Sequence, residues 1–419
     1  MTNTDIVSLK ERKTKMDSAI KLNPTDAWGE NVLEFMGAPT TSSQFLADYF
    51  EKKPLVVHRD EPNRFKSLLS LERIDEIISG VDLKEGQIDM THAKRNMTRA
   101  DYIDGSGYAD RGRIIDEFRN GASIILQQLH QLDPVLARFC QSLEKVFSCH
   151  IQTNIYLTPS SNQAFRTHYD NHDVFVLQIS GAKSWRFYNT PVDNPYRGEG
   201  YNSNIHETGE ITQEFVLNAG DFAYVPRGLM HDAVSSGDEP SLHITIGIIN
   251  RTWAELMIEA VSEVSLKDKN FRASLPPGYA HPDFDREIAR KYFNELVASL
   301  SSKVKMDNAF DLFVDTFIRS RVADTRGALV DAHRPHLASD TYIRRFDANW
   351  QMEDVPAFEN KPARVRILAA GGRLHFDANH KPFIELITKG KLFKASDLGD
   401  DAMMLIGILQ SHGFIKRIS

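Results

Sequence analysis

Thr167-His168-Tyr169-Asp170 sets an imidazole and a carboxylate two residues apart, just ahead of Val174-Phe175-Val176-Leu177-Gln178-Ile179, a run of strong β propensity. Alternate side chains of an extended chain share a side, so His168 and Asp170 project together. A second imidazole is available at His231, which follows Asp221-Phe222-Ala223-Tyr224-Val225 and the turn Pro226-Arg227-Gly228. Two imidazoles and one carboxylate on one face of a metal ion leave three coordination positions open. That is the arrangement non-haem Fe(II) centres use to bind a bidentate co-substrate and O₂. Such an open site is reactive, whereas a structural metal site is closed. A histidine and an aspartate two apart are also common as plain strand polarity, so the pair gains its force from the β-rich segment it opens. His172 and Asp173 follow closely. His172 would face the same side if the strand stayed regular, and it is read as a supporting or surface residue.

The elements needed to hold these groups can be read along the chain. Residues 1–27 are polar and charged with sparse apolar positions, which predicts a flexible leader without chemistry. From Ala27 the pattern is globular: Phe45, Leu46, Tyr49 and Phe50 fall at helical spacing, Lys53-Pro54 stops the helix, and Leu55-Val56-Val57 reads as a buried strand. Between Ile151 and Ile249 short β runs alternate with turn residues at Ser180-Gly181, Asn218-Ala219-Gly220-Asp221 and Pro226-Arg227-Gly228, the grammar of a barrel or jelly roll. Helical patterns return after Asn250 and run to about Arg321, broken by Pro276-Pro277-Gly278. A helix near Pro382–Thr388, another near Ala402–His412 and the strand Phe414-Ile415-Lys416 suggest a small winged-helix-like module at the end. The expected division is a leader over 1–27, a catalytic β-rich domain over 28–250, a helical region over 251–321 and a winged-helix-like domain over 322–419. No repeat of solenoid period is present.

Composition excludes several classes. The chain has 419 residues, 41% of them hydrophobic and 26% charged, with a net charge of −7 and no bias that announces a polyanion partner. Residues 361–419 hold ten Lys and Arg against five Asp and Glu, but no basic stripe follows one helix face, so nucleic acid is not an expected partner. Two cysteines, Cys140 and Cys149, suit reduced thiols in a cytoplasmic protein. No apolar run is long enough to span a bilayer, so no membrane association is expected.

Asn154-Ile-Tyr-Leu-Thr-Pro, then His168-Tyr-Asp170, Val-Phe-Val-Leu-Gln and Gly181-Ala-Lys183-Ser-Trp185 resemble the ribosomal-oxygenase branch of the JmjC, or cupin-like, hydroxylases. Leu217-Asn-Ala-Gly220-Asp221, Pro226-Arg-Gly228 with His231, and the upstream Tyr49-Phe-Glu-Lys-Lys-Pro54-Leu follow the same pattern. The resemblance covers nearly the whole chain. It implies an α+β protein: a double-stranded β-helix (the JmjC/cupin jelly roll) with flanking helices, a helical dimerisation region that makes a homodimer, and a C-terminal winged helix. It further implies Fe(II) held by His168, Asp170 and His231, with 2-oxoglutarate and O₂ as co-substrates. Lys183 stands where the family places a basic residue for the distal carboxylate of 2-oxoglutarate, and Asn154 and Tyr156 resemble positions that line that pocket. His243, in Leu242-His243-Ile244-Thr245, is a further candidate for the same lining.

The implied activity is hydroxylation of a histidine or arginine side chain in a protein or peptide, first of all a ribosomal protein. Ser160-Ser161-Asn162-Gln163-Ala164-Phe165-Arg166 lacks the glycine richness of the shorter bacterial arginine-hydroxylating members, which leaves the target residue open. A peptide natural product or small molecule is an alternative substrate, and lysine demethylation ranks lower. Two rivals come from other classes: a catalytically silent cupin that only binds a partner, and a zinc- or manganese-dependent cupin enzyme needing neither 2-oxoglutarate nor O₂.

Overall fold

The computed structural model describes residues 28, 31–160, 162, 166–346 and 348–418. The leader expected over 1–27 lies outside them, as do Ser161 and residues 163–165 of the loop before His168. The chain divides into two compact units, 1–250 and 251–419.

The first unit is built on strands β1 (Leu55–Val57), β2 (Ile88–Thr91), β3 (Ser123–Leu126), β4 (His150–Thr158), β5 (Asp173–Ser180), β6 (Ala182–Phe187), β7 (Gln213–Asn218), β8 (Phe222–Val225), β9 (His231–Ser236) and β10 (Ser241–Ile249). Seven of them form one antiparallel sheet in the order β1-β8-β5-β10-β4-β3-β2, and three form a second in the order β7-β6-β9. β5 is buried along nearly its whole length, and its alternation decides which core each residue joins. Phe175 and Leu177 pack outward with Phe139 and Leu143 of the helix Pro134–Phe147. Val174 and Val176 pack inward with Trp185, Phe187 and Leu217 of the second sheet, so this second cluster fills the space between the sheets. Each such large side chain contributes roughly 1.5–3 kcal/mol when fully buried.

The helices are set by local chemistry. Pro134–Phe147 starts with Asp133, whose carboxylate accepts from the amides of Val135 at 2.8 Å and Leu136 at 3.0 Å, with proline in the first turn. It buries Leu136, Phe139, Cys140 and Leu143 at helical spacing. Cys140 and Cys149 are both buried free thiols. Glycine is required at two turns that lead to site residues. Gly181 has φ +62° and a Cβ there would stand 2.4 Å from the carbonyl oxygen of Pro240; Gly228 has φ +86° and would meet that of Val192 at 2.1 Å. Gly181 sets β6 going inward toward Lys183, and Gly228 sets the approach to His231.

The second unit opens with helices Trp253–Lys267, Arg286–Lys303 and Met306–Arg319. The first begins at a reciprocal cap between Thr252 and Glu255. It continues with two three-stranded antiparallel sheets, one of Trp350–Val355, Arg364–Ala369 and Gly372–Asp377, the other joining Thr341–Arg344 to Phe393–Lys394 and Ile415–Arg417. Helices Lys381–Thr388 and Ala402–Ser411 share a buried core with these sheets. Leu256, Ala260 and Ala309 of the helical part form a separate small cluster. Among the described residues no helix is long and apolar enough to cross a membrane.

Candidate metal centre and co-substrate pocket

His168, Asp170 and His231 converge at one end of the space between the sheets, each offering a donor atom within 4.8 Å of the other two. His168 Nε2 stands 4.0 Å from Asp170 Oδ1, and His231 Nε2 stands 3.8 Å from Asp170 Oδ2. The two imidazole centroids are 4.7 Å apart. Sequence alternation placed His168 and Asp170 on a strand, but β5 begins only at Asp173. The pair lies in an extended segment tied to β9 by a single bridge: the His168 amide donates to the His231 carbonyl at 3.1 Å, and the His231 amide donates back at 2.8 Å. The Gly228 amide also donates to the Asp170 carbonyl at 2.9 Å.

Both imidazoles are oriented for coordination. His168 Nδ1 lies 2.8 Å from the carbonyl of Arg166, and His231 Nδ1 lies 3.0 Å from that of Leu229. A carbonyl only accepts, so Nδ1 carries the proton in each ring and the Nε2 lone pair faces the cluster. Burial, with the neighbouring His168, pushes the His231 pKa down to about 4, so this ring is neutral at pH 7 and ready as a ligand.

Deeper in the same interior, Lys183 is only 2% exposed. Its Nζ donates to Thr158 Oγ1 at 3.4 Å and lies 6.0 Å from the Tyr156 ring centroid. Burial pushes the Lys183 pKa down to about 7. Tyr156 and His243 pair in register across β4 and β10 and stack with centroids 4.9 Å apart and an 8° interplanar angle. Burial, and then the charge of Lys183, holds the His243 pKa well below the histidine range. Trp185 lies between the two regions, its ring 5.9 Å from both His231 and His243. Among the described residues, His243 Nδ1 and Trp185 Nε1 are buried without a hydrogen-bond partner. Such groups are costly unless a ligand or water meets them.

The other candidates take different places. Asn154 shares the β4 face with Tyr156, but its Oδ1 accepts from the Gln128 amide at 3.0 Å and so fastens the 127–131 turn. His172 is half-buried and lies across Gly247, where a Cβ would come within 2.8 Å of its ring, outside the ligand cluster. Asp173 turns to the other face of the sheet, where it accepts from Tyr224 at 2.6 Å, Asn250 at 2.7 Å and Arg227 at 3.2 Å. Sequence reasoning missed Thr158, although it stands two residues beyond Tyr156 on the same strand face and alternation could have found it. It also missed Asp232, whose contacts span the sequence too widely for any local signal.

Residues 125–256 match the family model described as the JmjC domain. A bifunctional lysine-specific demethylase and histidyl-hydroxylase NO66 of Drosophila mojavensis is 30% identical over 282 residues, covering 65% of this chain and 32% of that protein. Ribosomal oxygenase 1 of Danio rerio is 30% identical over 317 residues, covering 71% of this chain and 58% of that protein. The chain thus spans between about a third and three fifths of these two relatives. In the solved structures, E. coli YcfD superposes with a TM-score of 0.51 at 13% identity, covering 90% of this chain and 98% of that one, a likeness of fold. A further YcfD structure, described as a ribosomal oxygenase in complex with cobalt and succinic acid, has a TM-score of 0.50 at 14% identity and covers the same shares. The chain thus carries a stretch, 125–256, that matches the JmjC domain, and it is similar to proteins named as NO66 histidyl-hydroxylase and as ribosomal oxygenase.

Proposed function

We propose that this chain is an Fe(II)- and 2-oxoglutarate-dependent oxygenase that hydroxylates a histidine or arginine side chain of a ribosomal protein in the cytoplasm. One observation carries the reading: three metal-type donors converge at one end of a barrel whose interior also buries a lysine that, among the described residues, has no carboxylate as a hydrogen-bond partner. The residues fit the implied groups. Two imidazoles and a carboxylate suit a divalent first-row metal and leave positions for a chelating co-substrate. A buried ammonium is unfavourable until an anion meets it, and a dicarboxylate supplies one.

When bound, iron and 2-oxoglutarate supply with O₂ the oxidising chemistry that inserts oxygen into an unactivated C–H bond. His168, Asp170 and His231 hold the metal. Lys183 takes the distal carboxylate, and the stacked Tyr156 and His243 wall the pocket, with Asn154 further along the same strand face. Trp185 covers the interior between Lys183 and His231 and keeps bulk water from it. The target is not specified by these residues; its assignment rests on the similarity to proteins named as ribosomal oxygenase and histidyl-hydroxylase. The test is mass spectrometry of ribosomal proteins incubated with the purified chain, Fe(II), 2-oxoglutarate and ¹⁸O₂. One labelled oxygen on a histidine or arginine is expected, and its loss in the absence of 2-oxoglutarate. Loss of a methyl group from a lysine, or no label on any ribosomal protein, contradicts the substrate assignment.

The helical region 251–321 serves as a homodimer interface in this reading, and 322–419 as the winged-helix-like domain. Trp253 is 77% exposed and Leu266 76%, with Ile258, Ile288 and Phe293 also exposed on the same set of helices. So many large apolar side chains in one region exceed what a monomer surface usually shows. Light scattering is expected to give twice the 47.5 kDa chain mass, and Trp253→Glu with Ile258→Glu to shift it to the monomer. A wild-type monomer at micromolar concentration contradicts the interface.

A further inference from the structure

Asp232 follows His231 on β9, so its side chain leaves the strand on the face opposite the metal cluster. It is 4% exposed and accepts three side-chain hydrogen bonds. Oδ2 receives the hydroxyls of Thr167 and Tyr188, each at 2.7 Å, and Oδ1 receives Arg186 Nε at 3.0 Å. Arg186 is the register partner of Asp232 across β6 and β9, and Tyr188 directly follows β6, so two of the donors belong to the rigid second sheet. The third does not. Thr167 immediately precedes His168, in the segment that meets β9 through one bridge and no ladder.

The carboxylate therefore ties the neighbour of one imidazole ligand to the neighbour of the other. Beyond the bridge, the segment is held on the far side of His168, where the Gly228 amide donates to the Asp170 carbonyl and Tyr169 is buried with Tyr188 and Met230. The Thr167 to Asp232 bond adds a side-chain tie immediately ahead of His168. From this geometry we propose that Asp232 is a positioning residue of the metal centre, clamping Thr167 against the β6–β9 pair and so fixing the His168 to His231 spacing before a metal arrives. The inference rests on the reading of His168, Asp170 and His231 as metal ligands. Without the clamp, metal binding must first order the segment, and affinity falls by that cost.

Co(II) titration of the full apo chain, followed by its visible ligand-field absorption and by calorimetry, tests this alongside apo thermal unfolding. Thr167→Val removes the donor at a half-buried position while leaving Tyr188 and Arg186 on Asp232. It is expected to weaken Co(II) binding about tenfold, the lower end of what outer partners of metal ligands contribute, with little change in the apo unfolding midpoint. Thr167→Ser is expected to restore wild-type affinity, and Asp232→Asn to weaken binding at least as much as Thr167→Val. Wild-type Co(II) affinity in Thr167→Val, or a loss that Thr167→Ser does not repair, overturns the clamp. Failure of the underlying ligand reading looks different: wild-type protein would then bind Co(II) no better than His168→Ala.

Discussion

Lys183→Met is expected to make the apo protein more stable and to weaken 2-oxoglutarate binding strongly. The two effects have one cause. Burial pushes the ammonium from the ordinary 10.5 to about 7, and among the described residues only Thr158 is its hydrogen-bond partner. The unfolded chain keeps its proton up to the ordinary value, whereas the folded chain releases it near 7, so unfolding takes up a proton between the two. The destabilisation is therefore full below about pH 7 and fades as pH rises toward 10.5. Methionine fills much of the same volume without charge, and the gain is expected to reach up to about 4 kcal/mol near neutral pH. Denaturant unfolding at pH 7 and again near pH 9.5 checks the sign, since the advantage of the variant must shrink at the higher pH. In wild-type protein an anion beside Lys183 restores its proton, so co-substrate binding above pH 7 is expected to take up protons, read as a dependence of binding heat on buffer ionisation enthalpy. A less stable Lys183→Met protein that still binds 2-oxoglutarate normally would remove Lys183 from the pocket's chemistry.

Asp170→Ala carries the other large effect. Asp170 is the one anionic member of the cluster, its carboxylate reaching toward both imidazoles at 4.0 and 3.8 Å. Its side chain is 29% exposed, so removing it leaves no buried gap and folding is expected to proceed as in wild type. Two imidazoles remain, without the carboxylate's charge and without a third point of the triangle. Metal affinity is expected to fall by more than the roughly 10–100-fold that outer partners contribute, and 2-oxoglutarate turnover to drop to background. Calorimetric titration with Mn(II), beside an unfolding curve that matches wild type, separates this from misfolding.

The convergence of His168, Asp170 and His231 was legible because its signal is local. A two-residue alternation joins His168 to Asp170, and a glycine turn followed by a histidine marks His231. The same periodicity carried Lys183, which lies two residues past Gly181 and two before Trp185, on the inward face of β6. What the sequence could not supply is register between distant strands. The stack of Tyr156 on His243 joins β4 to β10 across 87 positions, and nothing within either strand says that they are neighbours. Alternation identified Asn154 as inward-facing, but not that its carboxamide is engaged by the Gln128 amide. It also extended β5 backwards over His168. The backbone there leaves the sheet, and a single bridge to His231 takes the place of a ladder. Asp232 and Thr167 are adjacent to ligands in sequence, yet their bond spans 65 positions and emerges only once β9 lies beside the loop.

The most direct measurement is anaerobic titration of the apo protein with Fe(II) and then 2-oxoglutarate, watching the visible spectrum for the weak metal-to-ligand charge-transfer band of a chelated 2-oxo acid. The band is expected in wild type, absent in His168→Ala, and present in Lys183→Ala only at much higher 2-oxoglutarate. Folded, iron-loaded wild-type protein that shows no band would contradict the oxygenase reading and leave a metal-binding cupin that does other work.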